Sequence, residues 1–425
     1  MSSKITFRVI LGVILLSLSG EIAWAVENQY FNLFIYSVIA PVPLYVSLMV
    51  SITAAVSTFT TFFLGAYSDM KAKRRIFLMI GYIFWSITTA IFPLAGLFHP
   101  VVLAVTIAIL FDSIMSFFGA MANDAVLNAY VTDVTTVKNR GKISSIKELM
   151  FLLALLFVYA LSGYIIEAIN FYNFFFLIAG VVAVLGIPGA IVTPEPKNLV
   201  PNKIGYWSTI KETFSFKLLR ENHDFAKIQI SGAFFWIAFN VFFPFIIIYL
   251  EFRLGIPLFE ASILIFIALF ISILLAIPMG YVTDKIGRKK VAIGAVIIEI
   301  IGLFFFSFSR GIEDFIYIAF TSSLWVFGMI SFNVSSRTWL KDLYPEEKRG
   351  QTHGYYLLFT ILGGMTIGSL LGGFLAEIFG TSYTSPEGVA GFIPPALLFM
   401  IASFMMILAL IPLLFAKEIR SKPEI

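Results

Sequence analysis

The chain has 425 residues, 59% of them hydrophobic, 16% aromatic and only 13% charged, with a formal net charge of +4. Soluble domains run about 45–50% apolar and about 25% charged, and a folded chain of this length cannot hide such an excess. That excludes a soluble enzyme, a disordered chain and a nucleic-acid-binding domain, and leaves a polytopic membrane protein. Cysteine is absent, so disulfides and thiolate metal sites are impossible, and His99, His223 and His353 lack ligand spacing.

Apolar runs of about 20 residues read as membrane-spanning helices. Twelve are expected, over residues 8–37, 43–67, 76–97, 101–131, 145–168, 172–192, 227–250, 258–282, 290–309, 314–340, 352–379 and 391–416. Charge placement supports the count: of the 29 Lys and Arg, all but Arg253 and Arg310 fall at the termini or on the even-numbered connections. The positive-inside rule then puts both termini in the cytoplasm of a multi-pass cell-membrane protein. Lys4, Arg8 and Ala23-Trp24-Ala25 mimic a cleaved signal peptide, but the charge alternation works best with span one retained.

Span one carries Glu21, Trp24, Glu27 and Asn28 within an arc of roughly 120° at about 100° per residue. Two carboxyls, an amide and an indole on one face suit a sugar, whose hydroxyls need donors and acceptors and whose C–H faces stack on a ring. The same groups could instead hydrogen-bond neighbouring helices. In span four Asp112, Ser116, Gly119 and Asn123 share a stripe, and Asp124 points about 100° away from Asn123. Ionisable groups inside a bilayer are costly and mark function by default. Glu21, Glu27, Asp112 and Asp124 are therefore the proton-coupling candidates. Trp24, Asn28, Asn123, Trp236, Asn240, Asn333 and Arg337 are the substrate-binding candidates, with Gln229 on the inward face of span seven beside Trp236 and Asn240. Arg337 could neutralise an acid or simply mark the end of span ten. Glu299 in span nine is expected at a helix contact, and Gly364, Gly368 and Gly372 at four-residue spacing predict close packing of span eleven.

The longest polar stretch separates two halves, a bundle over residues 1–193 and another over 227–425, with a cytoplasmic connector over 194–226. Residues 205–220 of the connector mix aromatic and charged side chains, as an interfacial amphipathic helix would. Each half repeats two motifs. Gly65, Asp69 and a basic cluster containing Arg74 and Arg75 match Gly280, Asp284 and a cluster containing Arg288 and Lys289, at an offset of 215. Asp133 with Arg140 matches Asp342 with Arg349, at an offset of 209. An Asp at a helix end can hold a basic residue of the next loop and latch neighbouring helices in one conformation. Internal repeats of this kind mark secondary transporters. No phosphate-cradling or nucleophile-elbow motif appears, so neither ATP hydrolysis nor another enzyme activity is expected.

The segments Gly65–Arg75 and Gly280–Lys290 resemble the signature loop of the major facilitator superfamily, with Ala72 where that family usually has Gly. The resemblance implies an all-α membrane fold of twelve helices in two pseudo-symmetric six-helix bundles, working as a monomer without cofactor or metal. It also implies a small-molecule substrate moved by alternating access. Glu21–Glu27, Asn123-Asp124 and Asp133 through Gly141 are similar to the sucrose transporters and the glycoside–pentoside–hexuronide:cation symporters, which implies proton-coupled symport of a sugar. Asn128 replaces the Arg usual in the sucrose branch, and span two lacks the carboxylate of the sodium-coupled melibiose type. The alternatives are a proton-coupled drug or metabolite exporter, which the 47 Phe would suit although span five lacks the Gly-Pro signature, and a non-transporting membrane receptor.

Overall fold

A computed structural model describes residues 5–196, 199, 206, 207, 210, 217–343 and 354–418. Arg349 and most of the connector, including the greater part of the helix expected over 205–220, lie outside these residues; Lys217–Glu221 is helical.

Among the described residues ten helical stretches are long and apolar enough to cross a membrane. One of them, Asn139–Val192, is two spans, because Asn170 breaks the helix with φ 64° and ψ 169°. Arg288–Phe306 supplies the remaining span, more charged than the rest because Arg288, Lys289 and Lys290 open it and Glu299 sits within it. Twelve spans result, in two six-helix bundles. Spans one to four run over Phe7–Ile39, Pro43–Lys71, Arg75–Leu97 and Val101–Val134. Spans seven and eight are His223–Arg253 and Leu258–Ala276; ten to twelve are Ile312–Leu343, Gly354–Phe379 and Leu397–Phe415.

Local chemistry sets several of these limits. Pro43 opens span two, where its missing N–H costs nothing. Thr136 and Asn139 form a reciprocal capping box that starts the fifth helix at Val137, well before the apolar run begins. Asn222 caps span seven by accepting from the Phe225 N–H at 3.0 Å. The expected start of span twelve at residue 391 is wrong. Ala390–Ile393 pairs instead with Thr381–Thr384 as a two-stranded ribbon, and Pro394 and Pro395 delay the helix to Leu397.

The chain divides into two compact units, Met1–Glu212 with Ser385–Ala390 and Thr213–Thr384 with Gly391–Ile425. In the first, Phe31 stacks on Phe92 with centroids 3.7 Å apart, Phe175 packs edge-on to both, and Phe34 tilts against Phe92. Close helix approach there depends on small residues. A Cβ on Gly81 would stand 2.5 Å from the Ala122 methyl, and one on Gly186 would overlap the Tyr82 ring. In the second unit Phe242, Tyr249 and Phe306 surround Phe399. Gly364, Gly368 and Gly372 lie directly against span seven: a Cβ on Gly364 would meet the Trp236 Cβ at 2.8 Å, and one on Gly372 would run into the Val241 carbonyl. Many large apolar side chains, among them Leu97, Val184 and Ile316, stay exposed, as a lipid environment permits.

Candidate functional site

In the first unit the polar faces of spans one and four meet as antiparallel neighbours. Descending span one, Glu27, Trp24 and Gly20 meet Ser116, Gly119 and Asn123 ascending span four. Ser116 donates to Glu27 Oε1 at 2.8 Å. Gly119 leaves room for two indoles: a Cβ there would stand 2.9 Å from Trp85 and 3.0 Å from Trp24. The two rings tilt against each other at 5.0 Å. Gly20 likewise makes room for Asn123, whose Oδ1 would be 2.6 Å from an added Cβ.

Two carboxyl pairs result. Glu27 and Asp112 face each other within hydrogen-bonding reach, at 8% and 1% exposure. Glu27 Oε2 and Asp112 Oδ1 meet no N–H or O–H donor. Further along, Asn123 Nδ2 bridges Glu21 Oε1 and Asp124 Oδ1, each at 3.3 Å. The Trp24 indole N–H faces Asp124 without reaching hydrogen-bond geometry. Tyr82 of span three closes this end by donating to the Leu16 carbonyl at 2.7 Å, with its oxygen 3.5 Å from Asn123 Oδ1.

The helices are not regular here. Glu27–Phe31 and Ala120–Leu127 are π-helical. Their wider turns rotate successive side chains by less than the roughly 100° of an α-helix. The Asp124 carboxyl nonetheless accepts from the Asn123 amide, so the two side chains meet although they are successive in sequence. Such π turns cluster at functional sites.

The expected amides are partly committed to their own helices. Asn28, Asn240 and Asn333 donate to the carbonyls of Trp24, Trp236 and Met329 at 2.8, 2.8 and 3.1 Å. Each keeps its oxygen and one further N–H to offer a solute. In the second unit Trp236 packs edge-on to Phe235 and Phe239, Gln229 is buried, and exposed Arg337 donates to the Tyr356 hydroxyl at 2.8 Å. Glu299 is fully buried at the contact of spans nine and ten, with neither oxygen partnered.

At the ends bearing the basic loops, the repeated motifs build two matching ion-pair clusters. Arg74, 3% exposed, donates to Asp69 and Ser68 at 2.6 Å each and to Asp133 at 2.8 Å. Burial works against its charge, but the bond to Asp133 and the charges of Asp69 and Asp133 outweigh that and hold the guanidinium above its ordinary range. Arg288 pairs with Asp284 at 3.2 Å and Asp342 at 2.7 Å. The paired arginines are thus 74 and 288, one residue out of register with the constant 215 offset. The first loop holds one residue more, accommodated by Ala72 in the left-handed region at φ 49°. Arg140 stands outside its cluster, donating to Thr135 Oγ1 at 3.3 Å. Gly65 approaches Ala125 at 3.8 Å from an added Cβ, whereas Gly280 meets nothing within 4 Å, so close packing is not its role in this conformation.

The sequence matches the Major Facilitator Superfamily over residues 9–273 and again over 228–425. The chain belongs to that superfamily. Among solved superfamily-like folds, a point mutant of the nucleoside transporter NupG superposes with a TM-score of 0.75 at 16% identity, over 96% of this chain and 99% of that one. A D-xylose-proton symporter gives 0.72 at 17%, over 96% and 97%. A bacterial homologue of the iron transporter ferroportin gives 0.70 at 13%, over 96% and 97%. No curated protein sequence matches. As a superfamily member the chain is a multi-pass membrane transporter, not an enzyme.

Sequence reasoning misses three kinds of residue in this superfamily fold. Glu195 accepts the backbone N–H groups of Arg74 and Arg75, at 2.5 and 3.1 Å, and so caps span three. Glu418 accepts those of Arg288 and Lys289, at 2.9 and 3.3 Å, and caps span nine. The side chains of Arg75 and Lys289 reach back to the last carbonyls of spans six and twelve. Each Glu stands third after the final helical residue, Val192 or Phe415, a repeat the sequence does display. Trp85 and Tyr82, three apart on span three, are hidden in an apolar run. Lys147 reads only as a loop charge.

Proposed function

We propose that this protein is a proton-coupled symporter of a sugar or comparably small polar solute, working by alternating access in the cell membrane as a monomer with both termini in the cytoplasm. The observation that carries this reading is the Glu27–Asp112 pair. Two carboxylates in contact away from water repel strongly, and their two donorless oxygens are both satisfied once the pair carries one proton. Ser116 holds Glu27 in place for that exchange. A carrier whose proton-loaded and proton-free forms differ so much in local charge has the differential needed to couple a gradient to a conformational change. In the first unit the Trp24–Trp85 indoles and Asn123 beside the pair supply ring faces and an amide suited to a hydroxylated solute; Trp236, Asn240 and Asn333 are the second unit's own candidates. Arg74 and Arg288, each tied to two aspartates, suit latches that open and close once per cycle.

The nucleoside and xylose carriers among the similar folds move solutes of this kind, which agrees with the proposal. The exporter reading draws on the abundance of Phe. Phe31, Phe34, Phe92, Phe174 and Phe175 are instead packed within a helical bundle at 0% exposure.

Uptake into proteoliposomes under an inward pH gradient, with a panel of pentoses, hexoses and nucleosides against lipophilic cations, tests the proposal. Gradient-driven accumulation of a sugar or nucleoside is expected, lost in Glu27→Gln while solute exchange at equal pH persists. Outward movement of lipophilic cations would establish the exporter instead. Unchanged accumulation in Glu27→Gln would remove that residue from coupling.

A further inference from the structure

The row of acids leads toward a base. Lys147, half-buried near the start of the fifth helix, donates to Asn128 Oδ1 at 2.5 Å. Asn128 Nδ2 in turn donates to the backbone carbonyl of Asp124 at 2.7 Å. The ammonium acts electrostatically on both Glu21 and Asp124, and Asp124 acts on Glu27. The other groups facing this end are Tyr82 from span three and Glu148 beside Lys147. Among the described residues, Lys147 is the one cation acting on the Glu21–Asp124 pair, and the amide that holds it is itself bonded to the Asp124 backbone.

We propose that Lys147 is a positioning residue that governs proton release: it rests on Asn128 while the Glu21–Asp124 pair is protonated and moves onto the pair as the proton leaves. This rests on the reading of the acid row as the proton carrier. The step balances simply. The proton passes from the Glu27–Asp112 pair to the Glu21–Asp124 pair and then to water at the end bearing the basic loops. The ammonium replaces its charge, and no bond other than hydrogen bonds forms or breaks. Without such a replacement, release would leave an uncompensated carboxylate in the bundle, which is costly. The geometry suits the exchange, because the flexible lysine stem needs only to trade an amide oxygen for a carboxylate one.

The test needs no transported solute. Infrared spectra of the full-length protein in lipid vesicles, titrated with pH, read carboxylic C=O absorption directly. The part lost in Asp124→Asn identifies the outer pair, and the part lost in Glu27→Gln the inner one. Removing the ammonium in Lys147→Gln should move the outer-pair midpoint to higher pH by about one unit or more, as expected for loss of an opposite charge at this range. Lys147→Arg should leave it near wild type. Asn128→Ala, which frees the lysine to approach, should move it to lower pH. An unmoved midpoint in both Lys147→Gln and Asn128→Ala, with the wild-type band present, would overturn the role of Lys147 and leave the proton carrier intact. If neither Asp124→Asn nor Glu27→Gln removes a titrating band, the proton-carrier reading itself fails.

Discussion

Replacing Arg74 and Arg288 by alanine, one at a time, measures how differently the two matching ion-pair clusters are buried. The Arg74 guanidinium is 4% exposed and its partners Asp69 and Asp133 are 42% and 21% exposed. The Arg288 side chain is 20% exposed, and Asp284 and Asp342 are 67% and 34%. Removing one member of a buried pair costs about 3–5 kcal/mol, because the remaining charges stay desolvated and unpaired. Exposed pairs are worth about 0.2–1 kcal/mol each. Arg74→Ala should therefore cost about 3 kcal/mol, and Arg288→Ala about 1 kcal/mol. At about 2–4 °C per kcal/mol for a unit of this size, the melting temperature falls by roughly 6–12 °C in the first case and roughly 2–4 °C in the second. Thermal unfolding in detergent, followed by tryptophan fluorescence, reads both. Equal losses, or a larger loss for Arg288→Ala, would refute the reasoning from burial.

Glu299→Leu should leave transport intact and raise the melting temperature, since it removes a fully buried carboxyl with neither oxygen partnered; a loss of gradient-driven uptake would show that Glu299 is functional. Gly372→Ala should destabilise by about 1–3 kcal/mol, because the added methyl meets the Val241 backbone, which cannot step aside, while Gly280→Ala should melt no lower than wild type. Ala72→Gly should stabilise by about 1 kcal/mol in the same melts, by relieving a left-handed alanine.

The spans are legible because a bilayer imposes length and apolarity on every helix and sorts basic residues to one side. The break at Asn170 falls where the apolar runs pause. The start of span twelve is not legible, since Phe392 and Ile393 read as apolar helix and only the Pro394-Pro395 pair betrays the ribbon. Buried acids announce themselves one by one, but their pairing does not: a helical wheel gives the faces of spans one and four, not that those faces meet. The repeat reveals the paired ionic clusters but places the second arginine one residue out, because a constant offset cannot register the additional residue near Ala72. Glu195 and Glu418 belong to no helical period, so only comparison of the two halves reveals them. Lys147 passes for topology, although the fifth helix already runs from Val137 and carries it against Asn128.

Glu195 and Glu418 have a bearing on how such a chain could be assembled. Each ties the residues just after the last helix of a half to the start of that half's third helix, so the first and last parts of each six-helix unit are joined. A unit closed in this way can be duplicated, fused or cut from its twin with its internal contacts intact. Severing the connector between residues 199 and 217 and producing the halves as separate chains should leave both sets of clamps in place. The covalent link would then serve to keep the halves at high local concentration.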